Sequence, residues 1–155
     1  MKHIIFTILI SFLFTSYSYA FQGKAIHISD GDTITVLHDA KKEKIRLYGI
    51  DTPEMKQAFG KKAKKFTESM VSGKTVNVET ITKDRYGRTV GIVLINEKCL
   101  NSDLVSAGYA WVYDRYCKKD MCDKWRLFEK EARRLKSGLW SQENPVAPWK
   151  FRKRK

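Results

Sequence analysis

The sequence predicts an α+β protein with a mainly β core, namely a small five-stranded Greek-key barrel with about three helices against it. Five short segments alternate apolar and polar residues with the period of a β-strand. Three other segments carry apolar residues at helical spacing. The chain has 155 residues, of which 43% are apolar and only 9 are Gly and 3 are Pro. This composition fits one compact domain.

The predicted strands form two groups. Three come first, at KAIHISD, DTITV and KIRLYGI, with Asp30-Gly31 and HDAKKE as the breaks between them. We expect these three to be consecutive antiparallel strands. Two more, KTVNVET and TVGIVLI, are joined by the turn-like KDRYGR, where Gly87 can take backbone angles that other residues avoid.

The three predicted helices differ in length. GKKAKKFTESMV reads as a helix that stops near Gly73, and a short second helix is capped by Asn101 or Ser102 and ends at Gly108. The third and longest runs up to Gly138. The apolar positions that should face the core are Ala63, Phe66 and Met70 in the first helix and Trp125, Phe128, Ala132 and Leu135 in the third.

Both ends of the chain have their own character. Residues 1–20 have a basic start, an apolar run from Ile4 to Phe14, and Ser18 and Ala20 at the small positions of a cleavage site, which indicates an export signal. Cleavage would leave residues 21–155 as a single domain in a periplasm or outside the cell, without a membrane segment. An uncleaved anchor is the alternative, although a bilayer span needs about 20 apolar residues.

The C-terminal segment WKFRKRK, about residues 149–155, is basic and lacks an apolar period. We expect a mobile tail there, either simply solvated or in non-specific contact with phosphate.

Export bears on the three cysteines, because oxidising compartments permit disulfides. Cys117 and Cys122 are the expected pair, since their bond would close a small loop, and three separate thiols are the alternative. The Cys and His residues do not have the spacing of a zinc finger, so a zinc site is not expected.

The net charge favours a polyanionic partner. Lys and Arg number 30 against 17 Asp and Glu, which gives a formal charge of +13. A basic surface gains affinity for nucleic acid by releasing counterions from the phosphates, whereas no single basic amphipathic face suits a membrane.

Acidic residues lie at two predicted strand ends. Asp30 and Asp32 flank Gly31, and Asp51 and Glu54 flank Thr52-Pro53. If neighbouring strands bring Asp32 near Asp51, a cation between them would relieve their repulsion, and oxygen ligands favour Ca²⁺ or Mg²⁺. The alternative is ordinary turn formation by Asp-Gly and Asp-Thr-Pro.

Arginines and aromatic residues near these acids indicate phosphate chemistry. Arg46 and Arg88 could hold the charge of a phosphodiester under attack, and Glu54 could accept a proton from the attacking water. Surface ion pairs are the alternative for each arginine taken alone. The candidates for stacking on bases are Tyr86 and either Tyr113 or Tyr116.

Two motifs give these residues a wider context. DGDTITV, followed after nine residues by RLYGIDTPE, and the later DRYGRTVGIV resemble the signatures of the thermonuclease family, the staphylococcal or micrococcal nuclease type. AGYAW and KSGLW extend the resemblance over nearly the whole chain after residue 20. The chain departs from the pattern after Trp111, where the place of a base-stacking tyrosine falls at Tyr113 or Asp114, and at CKKDMC.

The resemblance implies a five-stranded OB-fold barrel and Ca²⁺-dependent hydrolysis of DNA and RNA to 3′-phosphate products. Its implied calcium ligands are the carboxylates of Asp32 and Asp51 and the backbone carbonyl of Thr52. Its implied catalytic residues are Arg46 and Arg88 on the phosphate and Glu54 as general base.

The sequence therefore predicts a monomeric, exported nuclease that acts on single-stranded or breathing nucleic acid. Two other classes stay open. One is a family-like barrel that has lost catalysis and keeps a nucleic-acid or peptide-binding surface. The other, favoured by the charge alone, is a basic cell-surface or envelope protein with only structural contacts.

Overall fold

A mixed β-sheet that closes into a barrel forms the centre of the computed structural model, which describes residues 19–154. The strands are β1 (Ala20–Asp30), β2 (Thr33–His38), β3 (Lys41–Leu47), β4 (Ile50–Asp51), β5 (Thr75–Lys83), β6 (Thr89–Ile95), β7 (Lys98–Cys99) and β8 (Trp111–Val112). The sheet runs in the order β3-β2-β1-β5-β6-β7. A parallel pairing of β3 with β6, the strand before the last in this order, closes the sheet, so β1, β2, β3, β5 and β6 form a closed barrel. The prediction of a five-stranded barrel is confirmed.

Several strand boundaries differ from the predicted ones, and among them β3 ends at Leu47 rather than Ile50 and β5 at Lys83 rather than Thr80. β1 begins at Ala20, four residues before the predicted start. The segment HDAKKE is a tight hairpin: only Asp39 and Ala40 form the turn, both with positive φ (46° and 62°), and His38 already pairs with Lys41. The polar lysines of β3 hide this strand from a periodicity argument because they lie on an exposed end of the hairpin.

Four helices accompany the barrel in the described residues, and they are α1 (Gly60–Val71), α2 (Leu100–Ser106), α3 (Met121–Arg134) and α4 (Pro148–Phe151). The first three confirm the predicted helices. The capping prediction for α2 is wrong, since neither Asn101 nor Ser102 caps it. Asn101 is fully buried; its side-chain oxygen accepts from Val93 N (3.1 Å) and its amide donates to the carbonyls of Tyr48 and Gly91. It therefore ties α2 to the barrel.

The core fills the barrel and extends to one face of each long helix. Its largest fully buried side chains include Ile34, Ile45, Leu47, Val78 and Val93 from the strands and Leu100 and Leu104 from α2. Of the predicted stripe on α3, Trp125 and Ala132 are buried and Phe128 packs against the core. Leu135 is 57% exposed, so its prediction as a core residue is wrong. It lies one residue beyond the last turn of α3, where the helical face no longer applies.

A disulfide joins Cys117 to Cys122 as predicted, and Cys99 is a free cysteine. The bond links the segment before α3 to the first turn of that helix. Cys117 Sγ lies so close to Gly49 that a Cβ built on that glycine would stand 2.5 Å from the sulfur. The disulfide therefore packs against the turn that connects β3 to β4.

The C-terminal segment is folded, which differs from the predicted mobile tail. Pro148–Phe151 form α4 and Arg152–Arg154 a 3₁₀ turn. The Trp149 ring stacks on Tyr113 with 4.6 Å between ring centroids and 4° between planes. An aromatic residue inside a basic segment thus anchors the segment to the barrel side.

The predicted export signal falls almost entirely within residues 1–18, outside the described residues. Within residues 19–154, no helix has both the length and the apolar content needed to cross a membrane.

Candidate functional site

The site lies where the β1–β2 turn, the end of β3 and β4 meet. Asp32 follows Gly31 in the turn, and the register of the β2–β3 hairpin sets Thr33 opposite Arg46. Leu47 N donates to Asp32 O at 2.8 Å, which fixes the turn against the end of β3. Asp51 ends β4, only four residues after Leu47. The chain therefore brings Asp32 and Asp51 to the same edge of the barrel.

Arg46 bridges the two acids. Its Nη1 lies 3.0 Å from Asp32 Oδ1 and its Nη2 lies 2.9 Å from Asp51 Oδ1. The two carboxylate side chains are only 7% and 2% exposed. Buried like charges repel strongly, so a positive charge between them is a condition of their ionised state. The guanidinium meets that condition in this structure.

Thr52 holds the other oxygen of Asp32. Its backbone N–H and its hydroxyl donate to Asp32 Oδ2 at 2.7 and 2.8 Å, and the residue is 4% exposed. The resemblance assigned Thr52 to the site through its carbonyl, whereas the contacts of the structure are made by its two donors. Thr52 therefore orients a carboxylate in this state.

Helix α1 supports the turn from below. Thr67 Oγ1 donates to Gly31 O at 2.6 Å. A Cβ on Gly31 would stand 2.8 Å from both Ala63 Cβ and Thr52 Oγ1, so only glycine fits between the helix and the site. Ala63, which was predicted to face the core, and Thr67 thus hold the turn that carries Asp32.

Burial raises the pKa of two acids that line the cleft. The pKa of Asp30 rises to about 6, because the carboxyl is buried and because Asp32 is close by. Burial also raises the pKa of Asp51, against the opposing effects of the Arg152 hydrogen bonds and the Arg46 charge. Acids in such surroundings favour a bound cation, since a cation offsets the cost of their negative charge.

Glu54 lies on the loop after β4. Its backbone N–H donates to Gln57 Oε1 (3.1 Å) and its carbonyl accepts from Gln57 N (2.7 Å). A Cβ on Gly60 would collide with the Glu54 carbonyl at 1.9 Å, so the start of α1 packs directly on this loop. The carboxylate is 39% exposed and accepts from Arg152 Nη1 at 2.7 Å. Glu54 is thus a solvent-facing carboxylate on a well-held loop.

Arg88 belongs to the turn between β5 and β6. Its Nε donates to Asp84 Oδ2 at 2.6 Å, and the N–H groups of Tyr86 and Arg88 donate to Asp84 Oδ1. Burial alone would raise the pKa of Asp84, but the hydrogen bonds from Arg88 and from the turn lower it. Gly87 has a φ of 77°, as the predicted turn requires. The turn therefore fixes the Asp84 carboxylate, and that carboxylate orients the Arg88 side chain.

The three candidate tyrosines differ in exposure. Tyr86 is 68% exposed, with the Arg88 guanidinium 5.5 Å from its ring centroid, and Tyr116 is 56% exposed. Tyr113 packs edge-on against Tyr116 at 4.9 Å, and Trp149 covers one of its faces. Tyr86 and Tyr116 have the free ring surface that stacking on bases needs.

All nine predicted site residues, Asp32, Arg46, Asp51, Thr52, Glu54, Tyr86, Arg88, Tyr113 and Tyr116, line one cleft of about 910 Å³. Two arginines connect the three acids: Arg46 pairs with Asp32 and Asp51. Arg152 pairs with Asp51 and Glu54. Arg88 lies in the same cleft, but its pairing is with Asp84. The structure therefore brings these residues together in one cleft, and their individual roles stay predictions.

Comparison with known proteins agrees with this geometry. Residues 44–142 match the family model described as staphylococcal nuclease homologue. The chain belongs to the staphylococcal nuclease family. A protein named uncharacterized endonuclease from Escherichia coli O157:H7 is 42% identical over 135 residues, 86% of each chain. The micrococcal nuclease of Shigella flexneri is 39% identical over 145 residues, 86% of this chain and 81% of its own.

A third relative lies in a plant. Staphylococcal-like nuclease CAN1 of Arabidopsis thaliana is 45% identical over 116 residues, which cover 75% of this chain and 35% of the plant protein. Together these matches make the chain a nuclease of the staphylococcal nuclease family, a hydrolase whose substrate is nucleic acid. The family is metal-dependent. The predicted family, enzyme class and barrel fold are confirmed.

The donor set of the cleft fits a hard divalent cation. Asp32 and Asp51 offer buried carboxylate oxygens, the ligand type that Ca²⁺ and Mg²⁺ prefer. Among residues 19–154 no group of three or more His, Cys, Asp or Glu side chains is arranged around a common metal position. Backbone carbonyl and water oxygens would therefore complete the coordination, as is usual for these ions.

Three residues of this site escaped the sequence argument. Asp84 holds Arg88, Trp149 covers Tyr113, and Arg152 binds both Asp51 and Glu54. Asp84 had a local signal, since it stands at the start of DRYGR, where an Asx turn is common. Arg152 is 98 residues from Glu54 in sequence, and no local pattern connects them.

Proposed function

We propose that this nuclease is exported, requires Ca²⁺ and hydrolyses DNA and RNA with little sequence or sugar specificity, leaving 3′-phosphate ends. The observation that carries the proposal is the meeting of two buried carboxylates, Arg46 and the exposed carboxylate of Glu54 in one cleft that Arg88 also lines. Single-stranded or breathing nucleic acid fits it best, and we expect a monomer.

The carboxylates of Asp32 and Asp51 and the carbonyl of Thr52 would hold the cation. When bound, Ca²⁺ would supply positive charge to the phosphate oxygens and help to orient the substrate. Thr52 keeps its second role there, because its N–H and hydroxyl fix the direction of the Asp32 carboxylate.

Glu54 is the proposed general base. Its Oε1 accepts from Arg152 in this structure, and the carboxylate faces solvent in the cleft. A water that attacks phosphorus would pass its proton to Glu54 while the bond from phosphorus to the 5′ oxygen breaks. The phosphate then stays on the 3′ oxygen, and the departing 5′ oxygen takes up a proton from solvent water to become a 5′ hydroxyl.

Arg46 and Arg88 would bind the non-bridging phosphate oxygens. A planar guanidinium offers paired donors to such oxygens, and the charge on them is greatest in the transition state. Tyr86, Tyr113 and Tyr116 are the proposed stacking residues, at roughly 1 to 3 kcal/mol for each stacked base. Stacking does not read sequence, which supports low specificity.

Export is supported by the composition of residues 1–20 and by the disulfide between Cys117 and Cys122.

The test is cleavage of end-labelled single-stranded DNA and RNA with Ca²⁺, with Mg²⁺ and with excess chelator, followed by mapping of the new ends. We expect cleavage with Ca²⁺, none with chelator, and 3′-phosphates on both polymers. Products with 5′-phosphates would refute the proposed bond cleavage. Binding without cleavage in every metal would favour a non-catalytic module. Binding should also weaken steeply as salt is raised, given the charge of +13.

A further inference from the structure

The C-terminal segment lines the nuclease cleft with Trp149, Arg152 and Lys153, and Arg152 reaches its acids. The guanidinium of Arg152 makes three hydrogen bonds to two acids: Nη2 to Asp51 Oδ2 (2.8 Å), Nη1 to Asp51 Oδ1 (3.3 Å) and Nη1 to Glu54 Oε1 (2.7 Å). Charged, forked contacts of this kind are among the strongest that a side chain makes. Arg152 is thus a specific occupant of the cleft.

The acids that Arg152 contacts are the ones with proposed roles. Both oxygens of Asp51 are occupied, Oδ1 by Arg46 and Oδ2 by Arg152. The two oxygens of Asp32 are occupied as well, by Arg46 and by Thr52. A divalent cation must take a carboxylate oxygen from Asp51, and it is repelled by a guanidinium on the same group. One arginine therefore has to give way when the cation binds.

Arg152 is the arginine that can leave. Its side chain is 43% exposed, against 16% for Arg46. Arg46 lies within β3 and also donates to Leu47 O, so it is fixed by the sheet. Arg152 follows a helix of only four residues. Its departure breaks no strand pairing.

Trp149 holds this segment in place. Trp149 lies three residues before Arg152 in the chain. Its ring is stacked on Tyr113, and its centroid lies 5.7 Å from that of the Trp111 ring. The covered face of Tyr113 is a surface on which a base would otherwise stack. The segment thus covers both the Asp51 carboxylate, a proposed cation ligand, and one face of Tyr113, a proposed stacking surface.

We propose that Arg152 competes with the divalent cation for Asp51 and that the segment from Pro148 to Arg154 thereby sets the cation affinity of the nuclease. The inference rests on the proposed role of Asp51 as a cation ligand. We call the arrangement in which Arg152 contacts Asp51 and Glu54 the closed state. In the closed state both carboxylates are paired with the guanidinium, and the cation binds only when Arg152 is displaced. The apparent affinity for the cation is reduced by the fraction of molecules that are closed.

The experiment is a calorimetric titration of the purified full-length chain with Ca²⁺ in the absence of nucleic acid. Arg152→Ala should bind Ca²⁺ about tenfold more tightly than the unchanged protein, because charged hydrogen bonds no longer oppose the cation. Lys150→Ala is the matched control. Lys150 is exposed, lies in the same segment outside the cleft, and its loss changes the net charge equally. Its affinity should stay within twofold of the unchanged protein.

A second variant tests the anchor. Trp149→Ala should also tighten Ca²⁺ binding, by a smaller factor, since Arg152 is then held less firmly. Thermal unfolding of each variant in chelator checks that it is folded.

Arg152→Ala that binds Ca²⁺ no more tightly than Lys150→Ala, or more weakly, overturns the inference. Asp51→Asn separates this failure from failure of the proposed function. If Asp51→Asn abolishes Ca²⁺ binding while Arg152→Ala has no effect, the metal site stands and the competition is wrong. If Asp51→Asn binds Ca²⁺ normally, the proposed metal site is wrong.

Discussion

Removal of Arg46 should make the stability of the folded protein depend on a divalent cation. Arg46→Ala leaves Asp32 and Asp51, 7% and 2% exposed at their side chains, without the charge that bridges them. Breaking a buried ion pair from one side costs about 3 to 5 kcal/mol. Asp51 keeps Arg152 and Asp32 keeps Thr52, so we expect a cost at the bottom of this range, about 3 kcal/mol, in the absence of metal.

The assay is urea unfolding followed by tryptophan fluorescence, in chelator and again in saturating Ca²⁺. In chelator, the free energy of unfolding of Arg46→Ala should fall by the amount above. Ca²⁺ should then stabilise the variant more than the unchanged protein, because a ligand at 100 times its dissociation constant adds about 2.7 kcal/mol and the cation now meets no Arg46.

Arg88→Ala is the matched control, as the same truncation on an exposed turn. Arg88 pairs with Asp84 alone among the described residues, so its loss should cost under about 1 kcal/mol. If Arg46→Ala is as stable as Arg88→Ala in chelator, or if Ca²⁺ stabilises it no more than the unchanged protein, the bridging role assigned to Arg46 is refuted.

Three further predictions concern catalysis, pH and the disulfide. Glu54→Gln and Arg88→Ala should each lower kcat by at least about a hundredfold in the DNA cleavage assay, because each variant loses a charge needed in the transition state. Their circular dichroism spectra should be unchanged, and near-normal rates would exclude these roles. Asp30→Asn should stabilise the protein by at most about 3 kcal/mol at pH 8 and by much less at pH 4. The folded pKa of Asp30, about 6, lies above its unfolded value, so the protonated carboxyl contributes stability that is lost as pH rises from about 4 through 6. Equal effects of the substitution on the free energy of unfolding at the two pH values would contradict this. Replacing Cys117 and Cys122 together by serine should lower the free energy of unfolding by about 2 kcal/mol, measured against a reduced sample of the unchanged protein, which should show the same loss.

Much of the fold follows from local signals. The apolar alternation of five segments predicted the barrel strands, and the 3.6-residue spacing in GKKAKKFTESMV predicted α1 with both of its ends. The places where prediction was wrong lack such signals. The lysine-rich start of β3 has no apolar alternation, and Leu135 keeps the spacing of α3 although the helix has already ended.

The sequence named the members of the candidate site, whose roles stay predictions, but it did not give their contacts. Acids at strand ends, an arginine on the same strand and the two motifs named Asp32, Arg46, Asp51 and Glu54, and the structure brings them into one cleft. The family match begins at residue 44, after Asp32, so the geometry is what joins that residue to the others. The donors of Thr52 and the contact of Arg152 with Glu54 emerged only with the fold.

By itself, the sequence determined the residue types, their spacing along each strand and the excess of positive charge. These are properties of neighbouring positions, and the short-range geometry of strands and turns translates them directly into local structure. The tertiary structure alone decided which distant charges meet. Arg152 reaches Glu54 and Asp51 because Trp149 stacks on Tyr113 and because the barrel leaves two buried carboxylates that need positive partners. Packing and charge compensation act between residues about a hundred positions apart, and no sequence period records them.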